Sequence, residues 1–82
     1  MAVRKNYEHY AIEATTDFEL RCIEDGKQAG FFFEPGISGP VIVYSKPSSA
    51  SAGVSAEYIQ LALERIVAHL QSVGYEVQIV DG

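Results

Sequence analysis

Apolar and polar positions alternate with a period of two through most of the first half of the chain, and one late stretch changes to a helical period. The clearest alternation runs from Asp17 to Glu34, DFELRCIEDGKQAGFFFE. Asp25-Gly26 predicts a hairpin tip there, because a two-residue type I′ turn needs positive φ at both central positions. Counting outward pairs Glu24 with Lys27, Cys22 with Ala29, Leu20 with Phe31 and Phe18 with Phe33. Successive side chains point to opposite faces of a strand, so these apolar pairs share one face. The same register sends Phe32 to the other face, directly opposite Glu19.

Upstream, Tyr7 to Ala14 alternates, with Tyr10, Ile12 and Ala14 on one side and Tyr7, His9, Ala11 and Glu13 on the other. A three-residue loop, Thr15-Thr16-Asp17, would set Ala14 opposite Phe18, Ile12 opposite Leu20 and Tyr10 opposite Cys22. It is preferred to a shorter turn, which would bury the Glu13 carboxylate against Phe18. Residues 1–6 carry no pattern and are expected to fray. Downstream, Pro35, Gly36, Gly39 and Pro40 punctuate a loop, and Val41-Ile42-Val43-Tyr44 follows as a strand with no polar face. Such a strand is central or covered on both sides. Residues 46–54, rich in serine and alanine, read as a flexible linker.

The helical stretch starts at Ser55, a good N-cap, with Glu57 in the first turn and Val54 and Ile59 placed as a hydrophobic staple. Ile59, Leu63, Ile66, Val67, Leu70 and Val73 form one apolar stripe. Gly74 is placed to end the helix in the left-handed region. A last strand, Tyr75 to Val80, lies parallel to the Val41–Tyr44 strand or antiparallel to the first strand. The whole is an α+β chain in the order β-β-β-β-α-β: one small domain over 1–82, with a mostly antiparallel sheet and one helix on one face.

Charge narrows the functional classes. Eleven acidic residues against six basic ones leave a net charge of −5 over 82 residues. That lacks the Lys/Arg footprint by which most nucleic-acid binders neutralise phosphates, and it suits solubility or a partner protein with a basic surface. The longest apolar run, Val41 to Tyr44, is far short of the roughly 20 residues of a membrane-spanning helix. MAVRKNYEHY has basic residues without an apolar core behind them, unlike a secretory signal. A single cysteine, Cys22, excludes an internal disulfide and fits a reducing compartment. A soluble cytoplasmic protein is expected.

No catalytic set emerges. His9, His69 and Cys22 are far apart in sequence and lack metal-ligand spacing, so no metal or cofactor is expected. Register places Cys22 among core residues, as a small hydrophobe rather than a nucleophile. Glu13, Glu19 and Glu34 fall on the face opposite the core, where carboxylates are expected to be solvated. Lys46, Ser48, Ser49, Ser51 and the helix start at Ser55 offer an anion site, without a phosphate-loop signature. The most telling residues are apolar ones on the wrong side of the sheet. Tyr7, Ile23 and Phe32 join Arg21, Glu13, Glu19 and Glu34 on the open face, and clustered surface apolar residues mark contact sites.

The expectation is a small, acidic, non-enzymatic protein-binding domain. It would dock on a partner, or on a second copy as a homodimer, through Tyr7, Glu13, Glu19, Arg21, Ile23, Phe32 and Glu34. Surface carboxylates occupying phosphate sites would suit an inhibitor of a nucleic-acid-binding protein, of the kind viruses of bacteria encode. The alternative is a nucleic-acid or nucleotide binder using the sheet-face aromatics or the anion site.

Overall fold

The computed structural model describes residues 3–16, 18–36 and 39–81. In these, strands β1 (Val3–Asn6), β2 (Ala11–Thr16), β3 (Glu19–Glu24), β4 (Lys27–Glu34), β5 (Val41–Tyr44) and β6 (Ser49–Ala50) precede helix α1 (Ala56–Ser72) and strand β7 (Val77–Val80). The sheet order is β1-β2-β3-β4-β5-β7, with β6 paired to β4. Every pairing is antiparallel except β5 with β7. The fold is α+β, one helix on a mostly antiparallel sheet.

The hairpin forms in the register that Asp25-Gly26 dictates. Both residues have positive φ, 47° and 79°. Glu24 pairs with Lys27, Cys22 with Ala29, Leu20 with Phe31 and Glu19 with Phe32. Leu20, Cys22, Ala29 and Phe31 are buried under the helix with Ile12, Val41, Val43, Tyr58, Ala62, Leu63, Ile66 and Leu70. Phe18 is the exception. It lies in the short connection between paired Thr16 and Glu19 rather than in a strand. Its carbonyl still accepts from the Phe33 N–H at 2.8 Å, but its side chain is 57% exposed instead of joining the core.

Three further segments differ from the sequence expectation. The predicted Tyr7–Ala14 strand is split. Tyr7 N–H bonds to the Tyr10 carbonyl at 2.7 Å, closing a turn between β1 and β2. Part of the stretch expected to fray, Val3–Asn6, is therefore a paired strand, with Arg4 3.4 Å from Glu13. The turn carries no glycine or proline, so nothing in its composition announced it. Next, β2 runs on to Thr16 with a bulge between Ala14 and Thr16. The bulge moves Ile12 opposite Cys22 and Ala14 opposite Leu20, two residues from the expected pairs, and still keeps both on the apolar face.

The third is the expected linker over 46–54, which contains β6 and is stitched along β4. Ser48 N–H bonds to the Gly30 carbonyl at 2.8 Å and Ser51 N–H to the Gln28 carbonyl at 2.9 Å. The edge of β4 is thus shared, β5 pairing at Phe33 and Glu34 and β6 at Ala29 and Gly30. β5 takes a central place between β4 and β7, one of the two arrangements its all-apolar composition allows.

The helix begins as expected, with Ser55 Oγ accepting from Tyr58 N–H at 3.0 Å and Glu57 in the first turn. It ends in a Schellman motif. Gly74 has φ 99°, its N–H bonds to the Gln71 carbonyl, and Tyr75 N–H bonds to the Leu70 carbonyl, both at 3.1 Å. The buried stripe is rotated toward Tyr58 and Ala62, while Val73 is 58% exposed. Tyr58 reaches the sheet and its hydroxyl donates to the carbonyls of Cys22 and Lys27 at 3.3 Å. That polar tip explains how a tyrosine sits in the buried stripe. The chain after Tyr75 enters β7 beside β5, in parallel. No described helix is long and apolar enough to cross a membrane.

Candidate functional site

The face of the sheet away from α1 carries Glu19, Arg21, Gly30, Phe32, Glu34, Ile42 and Tyr44, because directly paired residues and residues two apart share a side. It divides into a polar lock and an aromatic depression.

The polar lock is built on Glu19, which is buried to 6% exposure rather than solvated as expected. Its Oε1 accepts from Thr15 Oγ1 at 2.7 Å and from Arg21 Nε at 3.3 Å. Its Oε2 accepts from Ser48 Oγ and, at 3.1 Å, from Ser49 Oγ. Burial pushes the Glu19 carboxyl pKa up, but hydrogen bonds from Ser48, Thr15 and Ser49 and the charge of Arg21 outweigh it, and the net direction is down. Arg21 also donates to Gln28 Oε1 at 3.2 Å. Thr15 from the bulge, Ser48 just before β6 and Ser49 in β6 thus converge on one carboxylate. A buried charge is tolerable only with such a complete set of partners.

The serines expected to cradle an anion are consumed in the same way. Ser48 and Ser49 turn onto Glu19, Ser51 Oγ accepts from Gln28 N–H at 3.0 Å, and Ser55 caps the helix. A carboxylate stands where a phosphate would need donors.

The aromatic depression lies at the end of the sheet. It encloses about 530 Å³ and is lined by Phe18, Phe32, Phe33, Glu34, Pro35 and Tyr44. Phe32 is 52% exposed beside it, so the hairpin register does leave this ring facing outward. Glu34 is exposed on the same side of the sheet, and its Oε1 accepts from Tyr44 Oη at 2.6 Å. That hydrogen bond pushes the Tyr44 phenol above its ordinary pKa. It also pins the carboxylate to one wall of the depression.

Of the seven residues expected to form a docking surface, Phe32 and Glu34 meet in the depression. Glu19 and Arg21 are spent on the polar lock, and Glu13 pairs with Arg4. Ile23 is half-buried, paired between Ala11 and Gln28. Tyr7 is on the other side of the molecule. Its ring stacks on Tyr10 with centroids 4.8 Å apart, and its hydroxyl lies 2.7 Å from Nδ1 of His69 on α1. The turn at 7–10 broke the alternation that had assigned Tyr7 to the open face.

Phe18, Phe33, Pro35 and Tyr44 are depression residues that sequence reasoning missed. The register of β4 with β5, on which the place of Tyr44 depends, hangs on a loop whose length does not specify it. Ile37 and Ser38 of that loop lie outside the described residues.

The three residues first considered as metal ligands remain apart in role. Cys22 is fully buried, His69 is engaged with Tyr7 and His9 is exposed. Arg65 bridges this side of the molecule, donating to Glu24 Oε1 at 2.8 Å with its guanidinium 4.2 Å from the Tyr10 ring centroid.

No family model matches the chain, and no curated protein or solved structure matches it.

Proposed function

We propose that the protein is a non-enzymatic binding domain that docks on another protein through the aromatic end of its open sheet face. The observation that carries this reading is the pairing of two half-exposed phenylalanines, Phe18 and Phe32, around one apolar depression. Aromatic side chains are strong interface anchors because they bury much area at little entropic cost. The net charge of −5 favours a partner with a basic surface, by steering encounter. Inhibition of a nucleic-acid-binding protein is one use such a domain would serve. The nucleic-acid alternative has less support, since Arg21 is held by Glu19 and Gln28 and the serines before the helix face a carboxylate.

Replacing Phe32 with Glu tests the reading. The variant is expected to keep its circular dichroism spectrum and melting temperature, because the ring is half-exposed. It should lose whatever protein the wild type retains in pull-down from its native cells. A folded variant with unchanged partner recovery and unchanged sedimentation overturns the proposal. Oligonucleotide binding that weakens steeply with salt would favour the alternative.

A further inference from the structure

Resting on that docking reading, we infer that the depression takes an arginine side chain from the partner's basic segment, its guanidinium stacked on the aromatic rings and paired with Glu34. The chemistry follows from what lines the space. Four aromatic residues, Phe18, Phe32, Phe33 and Tyr44, line it with Pro35 and a single charged group, the Glu34 carboxylate, and of these Phe33 also packs against the core. Ring faces carry negative electrostatic potential and attract cations, and a planar guanidinium stacks on them more readily than a compact ammonium does.

The carboxylate is already oriented. The Tyr44 hydroxyl occupies Glu34 Oε1 from within the same wall, which holds the group in place for a forked donor. An anionic occupant would be repelled by Glu34 and by the net charge of −5, and a purely aliphatic one would leave the carboxylate without a counter-charge. The depression is also an open one on the sheet surface, and about 530 Å³ leaves room for an apolar residue beside the arginine.

The probe is a short capped peptide with one arginine flanked by leucines, compared with versions carrying citrulline or lysine in its place. Citrulline keeps the shape and removes the charge. Binding is followed by the ring proton signals of Phe18, Phe32 and Tyr44 in NMR. The arginine peptide is expected to shift these signals and saturate at about millimolar concentration, with the citrulline peptide about tenfold weaker. Glu34→Gln, a substitution at an exposed position, should bring the arginine peptide down to the citrulline level and leave citrulline binding unchanged.

Equal binding of arginine and citrulline peptides overturns the inference, as does absence of any saturable shift. So does a concentration-dependent dimer that Phe32→Glu dissolves, which would put a second copy in the depression. If Phe32→Glu abolishes recovery of the partner while Glu34→Gln does not weaken it, the arginine is ruled out and the docking face stands. If neither variant alters recovery, both fail.

Discussion

A Cβ added at Gly30 would lie 2.7 Å from Ser49 Oγ, 2.8 Å from Glu19 Oε2 and 3.0 Å from Arg21 Cγ. The glycine is therefore the space that lets the serines reach the buried carboxylate across the sheet. Gly30→Ala is expected to cost about 1–3 kcal/mol, read as a lower urea midpoint with an unchanged slope. The cost should shrink in a Ser49→Ala background, where the nearest crowded atom is gone. None of this was legible at Glu19 itself. Read along the strand, that residue looks like a solvent-facing carboxylate. Its hydroxyl partners come from 4, 29 and 30 residues away in sequence, and two of them sit in a stretch that reads as linker.

At the scale of elements, local signals succeeded where a backbone requirement selects a residue type. Asp25-Gly26 and Gly74 occupy positive-φ positions that few other residues tolerate, and each stops its element where expected. Gly74→Ala should destabilise the protein by about 1 kcal/mol through strain at the helix end, without altering the depression. A thermal melt read beside the arginine-peptide titration checks both halves of that expectation. Local signals failed at the turn over residues 7–10, which rests on stacking of Tyr7 on Tyr10 and on the helix residue His69. The bulge in β2 was equally silent, since it takes its purpose from Glu19.

For the molecule as a whole, His69 and Glu19 on opposite faces bear on the acid side of its stability, together with Glu24, whose carboxyl the Arg65 hydrogen bond holds below its ordinary pKa. Burial, with help from the Lys5 charge, lowers the His69 pKa below its ordinary 6.5. The unfolded chain then takes up that proton first, so stability is full above pH 6.5 and falls as the pH drops below it. The Glu19 pKa is also lowered, from 4.5, so its contribution is present above that value and is lost as the pH falls through the folded one. Stability should thus decline in two stages on acidification. Urea midpoints across pH for His69→Gln should flatten the first stage, and those for Glu19→Gln should reduce the second, which Glu24 shares. A single decline unaffected by either variant would contradict the assignment.

By itself the sequence determined the hairpin register, both ends of the helix and the outward turn of Phe32. Each follows from contacts within a few residues or from a two-fold or 3.6-fold period. Tertiary structure decided the rest. It folded the serine segment onto β4, buried Glu19, moved Tyr7 to the helix side and drew Phe18, Phe32, Glu34 and Tyr44 around one depression. These outcomes depend on which distant strands become neighbours, and that is settled by the joint packing of helix and sheet. Phe32 belongs to both accounts: its direction was local, and its company was not.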